Sequence, residues 1–409
     1  MGAKFASNSI KAYFGEAALK SNTQGLFMRY AFFITIFVLL QLFSVGAALS
    51  VQWWLQPWQT IYSPTLIWVA IFVITNGLLL LSVKRVFANS YRWISGWMLV
   101  MHFLLLTALL ISVLYGGYWL IASFMGGEIQ ASAALDEDLR ALSLAVFLGL
   151  FAYALYSAYV PVVREMTITI DKALPKPLKV AVASDLHLGK LFGGGAIDRL
   201  QRLLMQHNAD ILLMPGDIMD DNTDAFVDHK MAIHLKMLCD SMPYGVYATL
   251  GNHDLYGHEQ PISKALQNAG VMLLNDAAVS IEHEGTPIWL VGRFDNHKHQ
   301  RVATTALLAQ VDTEQPIVLL DHRPSDIVAH SQLPIDLQVS GHTHNGQIFP
   351  ANFIVSAINR LGYGYEAIGN GHFVVSSGYG FWGIPFRLGS RSEVWLIRLV
   401  GNTDNQKSH

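Results

Sequence analysis

The chain has 409 residues, of which 52% are hydrophobic and 14% charged, with 27 Lys+Arg against 30 Asp+Glu and a net charge of −3. A soluble globular protein carries about 25% charged residues, so this composition, with a mean hydropathy of +0.34, excludes a disordered chain and a soluble enzyme over the full length. The single cysteine, Cys239, excludes an internal disulfide and a thiolate metal cluster.

The apolar excess is concentrated. Residues 1–165 hold 9 Lys+Arg and 6 Asp+Glu, leaving 18 and 24 for residues 166–409. Of 16 histidines, only His102 precedes residue 166. Two kinds of protein meet near residue 165: a transmembrane domain over 1–165 and a second domain over 166–409.

No charge occurs between Arg29 and Lys84, and Gln56-Pro57 and Ser63-Pro64 break that run into spans near 30–52 and 65–83. A third uncharged run between Arg92 and Glu128 gives a span near 96–122, and Ala141 to Val163 gives a fourth near 141–163. Each meets the roughly 20 apolar residues that a helix needs to cross a bilayer. Positive segments (Lys4, Lys11, Lys20 and Arg29; Lys84, Arg85 and Arg92; Arg164, Lys172, Lys176 and Lys179) alternate with a neutral loop rich in Trp53, Trp54, Trp58 and Tyr62 and an acidic loop with Glu128, Asp136, Glu137 and Asp138. The positive-inside rule then places both termini and the second domain in the cytoplasm, in a multi-pass inner-membrane protein. A cleaved signal peptide would leave three spans and spoil the alternation. His102 and Asn76 are polar groups within the spans, read as packing groups facing the bundle interior.

From residue 166 the pattern changes to short apolar runs that alternate with helical stretches, such as that of Ile197, Leu200, Leu203 and Leu204, which predicts an α/β fold. Five strands each end in polar residues: 179–183 before Asp185 and His187, 211–214 before Gly216-Asp217, 245–250 before Gly251-Asn252-His253-Asp254, 317–320 before Asp321-His322, and 335–339 before Gly341-His342-Thr343-His344. Loops at the carboxyl ends of strands are where α/β sheets carry their sites. Carboxylate and amide oxygens with imidazole nitrogens, and no sulfur, suit Mn, Fe, Zn or Mg. Asp185, His187, Asp217, Asn252, His322, His342 and His344 are seven donors, too many for one tetrahedral ion and enough for two. Among the nearby histidines, His322 is favoured over His297, His299 and His330 by the strand before it. Glycines preceding Asp217, Asn252 and His342 permit close backbone approach.

Together and in this order, Asp-x-His, Gly-Asp, Gly-Asn-His-Asp, a lone His and Gly-His-Thr-His resemble the calcineurin-like metallophosphoesterase superfamily, over residues 180 to about 398. The resemblance implies a four-layer αββα sandwich with two divalent metal ions between its sheets, manganese being the foremost candidate. It implies one ion on Asp185, His187, Asp217 and His344 and another on Asp217, Asn252, His322 and His342, with Asp217 bridging. Gly341 to Pro350 and the later Gly378-Tyr379-Gly380 and Pro385-Phe386-Arg387-Leu388-Gly389 are similar to a membrane-associated bacterial branch that includes enzymes acting on UDP-2,3-diacylglucosamine. Asn345 stands where that pattern more often has Gly, and Ser392 where it has Pro.

Two cations would activate a water and stabilise charge in an in-line displacement at phosphorus. His253 fits neither ligand set and is the candidate general acid for the leaving oxygen, with Asp254 as the carboxylate that orients its ring. Asp220 and Asp221 read as a solvated turn. Arg387 either binds a substrate phosphate or pairs with an acid. Lys190, beside Leu191-Phe192 and Gly193-Gly194-Gly195, either touches lipid or lies in a surface loop. The expected partners are membrane lipids and a phosphate-bearing, lipid-linked substrate, with no nucleic acid polymer; the oligomeric state is open. The alternatives are a tethered phosphatase or phosphodiesterase for soluble nucleotides or phosphoproteins governed by its bundle, and a binding protein that keeps the metal site without turnover.

Overall fold

The computed structural model describes residues 34–402 except 36, 62, 85–89, 126–132, 257 and 299. Lys4, Lys11, Lys20, Arg29, Arg85, Glu128 and His299 therefore lie outside the described residues. The chain divides into two compact units, Met1–Leu150 and Phe151–His409.

The first unit contains four helices long and apolar enough to cross a membrane: α1 (Phe37–Trp58), α2 (Pro64–Val83), α3 (Ser90–Phe124) and α4 (Ala133–Tyr159), whose last turns belong to the second unit. Pro64 sits in the first turn of α2, where its missing N–H costs nothing. α3 has 35 residues, about 52 Å at 1.5 Å per residue, well beyond a bilayer core of about 30 Å. Several interior polar groups bond one another. Ser44 Oγ bonds Thr75 Oγ1 at 3.0 Å, Trp97 Nε1 donates to Thr75 Oγ1 at 2.8 Å, and Asn76 donates to Gln41 at 3.3 Å. His102 lies between the rings of Phe43 and Phe103.

The apolar run predicted as the fourth span continues to Val163, but α4 ends at Tyr159. Pro161 cannot continue a helix, and the β-branched Val162 and Val163 open strand β1 (Val162–Ile170). At its other end α4 begins at Ala133 and takes in Asp136, whose charge suits the helix N-terminus and which pairs with Arg140 at 2.7 Å.

The second unit is an αββα sandwich. The further strands are β2 (Leu178–Val182), β3 (Ile211–Pro215), β4 (Val246–Thr249), β5 (Met272–Leu273), β6 (Ala277–His283), β7 (Thr286–Gly292), β8 (Ile317–Leu320), β9 (Leu337–Ser340), β10 (Gly364–Ile368), β11 (Gly371–Val375) and β12 (Glu393–Gly401). They form two six-stranded sheets, ordered β1-β12-β2-β3-β4-β5 and β10-β11-β9-β8-β7-β6. The two-residue period of a strand sorts side chains to opposite faces. Val180, Val182, Ile211 and Leu213 meet Leu290, Val318, Leu320, Leu337 and Val339 in the core between the sheets. Their neighbours Ala181, Leu212 and Met214 face outward, onto Ile197, Leu200 and Leu204 of α5 (Gly194–Gln206), Leu235 and Leu238 of α7 (Met231–Asp240), and Ile262 and Leu266 of α9 (Glu259–Asn268). Between α5 and α7 in the chain lies the short α6 (Asp224–Asp228), and α8 (Asn252–Leu255) precedes α9. On the other sheet, Val291, Ile317 and Leu319 face Leu307 and Leu308 of α10 (Thr304–Leu308). α11 (Ile327–His330) and α12 (Ala351–Ile358) complete the α-helices among the described residues.

β2, β3 and β4 pair in parallel, as do β8 and β9. Their carboxyl ends deliver the five polar loops.

Candidate metal centre

The ligand loops pay a conformational cost. Asp185, His187, Asp217, His342 and His344 all have φ between 46° and 71°, a left-handed conformation rare for residues with a side chain and costing about 1–3 kcal/mol each. Such conformations persist where the surroundings over-determine them.

The result is two contiguous donor groups. Asp185, His187 and His344 present ligand atoms within 4.8 Å of one another, and so do Asp217, His322 and His342. His187 Nε2 stands 3.1 Å from His344 Nε2, and His344 Nε2 stands 3.6 Å from Asp185 Oδ1. Asp217 Oδ2 lies 3.2 Å from His322 Nε2 and 3.8 Å from His187 Nε2, so one carboxylate faces both groups. Asn252 is buried, and its Oδ1 has no partner while its amide nitrogen donates to Tyr256 Oη at 2.9 Å. His322 Nε2 is also without a hydrogen bond, and its Nδ1 is held by the Pro215 carbonyl at 2.9 Å.

These observations fit a pair of cations. Facing imidazole nitrogens, an orphaned amide oxygen and a buried carboxylate between histidines are what a metal would reconcile. Burial holds His187 and His342 at about 3, and it also keeps His344 well below the usual histidine range. All three are neutral at pH 7 and offer lone pairs. Burial raises Asp185 to about 6. Burial opposes the charges of Asp217 and His322, yet their mutual attraction wins, keeping Asp217 below the carboxylate range and raising His322 to about 10.

Two glycines are fixed by close approach. A Cβ on Gly251 would meet the Asp217 carboxylate, and one on Gly341 would meet the Asp185 carboxylate and the Ser184 side chain. Asn345 takes φ 48° and ψ 41°, a left-handed position that Asn tolerates better than most residues, which explains why it can stand where Gly is commoner.

Three expectations change. Asp254 does not orient His253. It is fully buried and accepts the backbone N–H groups of Ile218, Met219 and Gly251 at 2.9–3.1 Å, so it ties the Asp217 loop to the Asn252 loop. Burial raises it to about 7. The carboxylate beside His253 is Asp221, whose Oδ1 lies 2.5 Å from His253 Nδ1; it belongs to the site rather than to a solvated turn. Burial opposes protonation of His253, but Asp221 and Asp217 raise its pKa above the usual value. Arg387 does not face substrate. It is fully buried, and Nη2 donates to the carbonyls of Gly380 at 2.6 Å and Ser377 at 2.7 Å while lying 3.0 Å from His344 Nδ1.

His253 packs edge-on against His187 and Tyr256, with Trp382 at 5.9 Å, and its backbone N–H donates to Asp217 Oδ1 at 2.8 Å. His330 is outside the centre, bonded to Gln338 and Thr304. The remaining acidic cluster, Asp321 with Asp326, is neutralised by Arg293 and Arg301 at 2.5–3.3 Å. His297 rests on the ring of Tyr256.

The family model for calcineurin-like phosphoesterases matches residues 178–346, a span that contains all seven donors. A Helicobacter pylori protein described as an uncharacterized metallophosphoesterase is 32% identical over 277 residues, covering 65% of this chain and 71% of its own. One from Aquifex aeolicus is 32% identical over 268 residues, covering 63% and 98%. A Danio rerio protein described as a transmembrane protein with metallophosphoesterase domain is 28% identical over 289 residues, covering 66% and 64%. With its four apolar helices, the chain is a membrane protein, and it belongs to the calcineurin-like metallophosphoesterases, phosphoester hydrolases that use a dinuclear divalent metal site.

Proposed function

We propose that this chain is a multi-pass inner-membrane enzyme whose cytoplasmic domain hydrolyses a phosphodiester or pyrophosphate bond in a lipid-linked substrate, of which UDP-2,3-diacylglucosamine is the type. The observation that carries the reading is a buried carboxylate, Asp217, facing two donor groups in a chain with four apolar helices. A substrate confined to the bilayer plane gains effective concentration at an anchored enzyme, and the exposed Lys190 would favour anionic head groups.

In this reading Asp185, His187, Asp217 and His344 hold one ion and Asp217, Asn252, His322 and His342 the other, with manganese the first candidate. Bound there, the ions supply Lewis-acid charge that activates water and neutralises the phosphoryl oxygens. His253 delivers a proton to the leaving oxygen, and Asp221 fixes the ring that does so. Tyr256 and Trp382 flank the imidazole. Asp254 and Arg387 hold the loops. Membrane lipids are the partners, and no nucleic acid polymer is.

A second reading, cleavage of soluble nucleotides or phosphoproteins under control of the bundle, draws on a cavity of about 330 Å³ among α1, α3 and α4, lined by Trp53, Trp54, Thr107, Tyr115 and Asp136. Mass spectrometry of lipids treated with purified protein or Asp217→Ala, over Mn, Mg and Zn, separates the two. The lipid reading expects acylated substrates to be preferred over their deacylated heads; equal turnover of both would sink it.

A further inference from the structure

α12 is an eight-residue helix with no buried residue. Phe353 is 63% exposed, Ile354 60% and Ile358 75%, and α12 carries no charge. Single exposed apolar residues are ordinary, but three large ones on one short uncharged helix mark a surface meant to be covered. α12 begins only seven residues after His344 in the chain.

A continuous set of contacts leads from this helix to α4, the last of the membrane-length helices. Phe353 packs on Phe349, whose N–H bonds the Leu388 carbonyl, and the Leu388 N–H bonds the Gln347 carbonyl at 2.9 Å. The Arg387 N–H bonds the Ala154 carbonyl of α4 at 2.9 Å, and Phe386 packs edge-on against Phe151. The Ser392 N–H bonds the Ser157 carbonyl at 2.9 Å, a bond that the Pro more usual at that position could not donate. Arg391 donates to the Val160 carbonyl at 3.0 Å and lies over the Tyr156 ring. The same Gln347 side chain holds the backbone of Trp382 and Ile384 at 2.9–3.2 Å, and Trp382, 49% exposed, stands beside His253. The membrane helix, the apolar helix and the rim of the metal centre thus share one hydrogen-bonded loop system.

We propose that α12 lies in the lipid interface of the bilayer that α4 leaves, with Phe353, Ile354 and Ile358 inserted among acyl chains. The Trp382 rim of the metal centre is thereby held at the head-group layer, where a lipid phosphate is presented without leaving the membrane. This rests on the lipid-substrate reading but is separable from it.

The test uses the full chain in vesicles of phosphatidylethanolamine and phosphatidylglycerol. Cys239 is buried, so Ile354→Cys and Ile358→Cys can be spin-labelled selectively, with Met205→Cys, exposed at the far end of α5, as control. We expect labels at 354 and 358 to collide preferentially with oxygen, which concentrates in lipid, and the label at 205 with water-borne chromium oxalate. Labels at 354 and 358 behaving like that at 205, or broadened by a second copy's label, would overturn the placement whatever the substrate proves to be. As a second measurement, the triple variant Phe353→Asn, Ile354→Asn, Ile358→Asn should lose about tenfold or more in kcat/KM on vesicle-borne phospholipid while keeping turnover of soluble bis(p-nitrophenyl) phosphate. An equal change on both substrates, or none on either, contradicts it. Lipid-facing labels in an enzyme that prefers deacylated substrates would leave the placement standing and remove the lipid-substrate reading.

Discussion

Replacing Arg387 by Met asks whether this arginine holds the loops or holds substrate. Its guanidinium is fully buried and makes two short bonds, to the Gly380 and Ser377 carbonyls at 2.6 and 2.7 Å, with Nη1 3.2 Å from Ser390 Oγ. Burial lowers its pKa only to about 10, so it stays charged at neutral pH. Met fills part of the stem's volume and donates nothing. Two buried carbonyls left without partners cost about 1–3 kcal/mol each, and removing a buried charge returns part of that by sparing its desolvation. A net loss of about 2–4 kcal/mol follows, which for a domain of this size lowers the melting temperature by roughly 5–15 °C. Thermal unfolding in detergent, followed by far-UV circular dichroism, measures the shift, and steady-state hydrolysis of bis(p-nitrophenyl) phosphate below the transition measures the chemistry. An unchanged melting temperature with a raised KM alone would refute the reasoning and return Arg387 to substrate binding.

Three further outcomes follow from the same geometry. Asp221→Asn should lower kcat by about tenfold or more on an alkyl phosphodiester with a poor leaving group and far less on a p-nitrophenyl ester, because general-acid catalysis matters only when the leaving oxygen needs a proton; equal losses on both would remove Asp221 from that role. Gly251→Ala should reduce kcat by roughly 100-fold, since its Cβ meets the Asp217 carboxylate and small displacements at a reacting centre are expensive, and wild-type metal content together with wild-type rate would show the approach to be unimportant. Cys239, buried and pushed to about 12 by burial and by Asp240, should react with iodoacetamide far more slowly in the native protein than in guanidinium; a native rate matching the unfolded one would contradict its burial.

The convergence of the candidate donors was legible because each follows an apolar strand, and strands running in parallel must bring their carboxyl ends to one edge. The two-sheet packing was legible only through the resemblance, because beyond Lys179 the inward and outward residues of β2 and β3 are all apolar. What remained unreadable depends on pairs distant in sequence. Asp221 meets His253 across 32 residues, and nothing in the spacing favours it over the adjacent Asp254; two consecutive carboxylates just after a ligand loop were the available signal. Asp254 is spent on backbone N–H groups from two loops, a convergence visible only in three dimensions. Arg387 read equally as a phosphate binder or the partner of an acid, because its cage of backbone carbonyls leaves no mark in the side-chain sequence. The end of α4 was masked by composition: Val162 and Val163 are as apolar as a membrane span, yet β1 pairs with β12, joining Val162 to Glu393.

The central claim is that the two donor groups bound by Asp217 hold a metal pair that performs phosphoester hydrolysis. The most direct test is metal content per chain, by inductively coupled plasma mass spectrometry, measured with phosphodiesterase activity for wild-type protein and Asp217→Ala. The wild-type chain should carry two divalent ions, Asp217→Ala should lose at least one, and activity should disappear with the metal and return to the chelator-stripped wild type when it is restored. Turnover that persists in metal-free protein, or an Asp217→Ala variant with wild-type metal and wild-type rate, would contradict it.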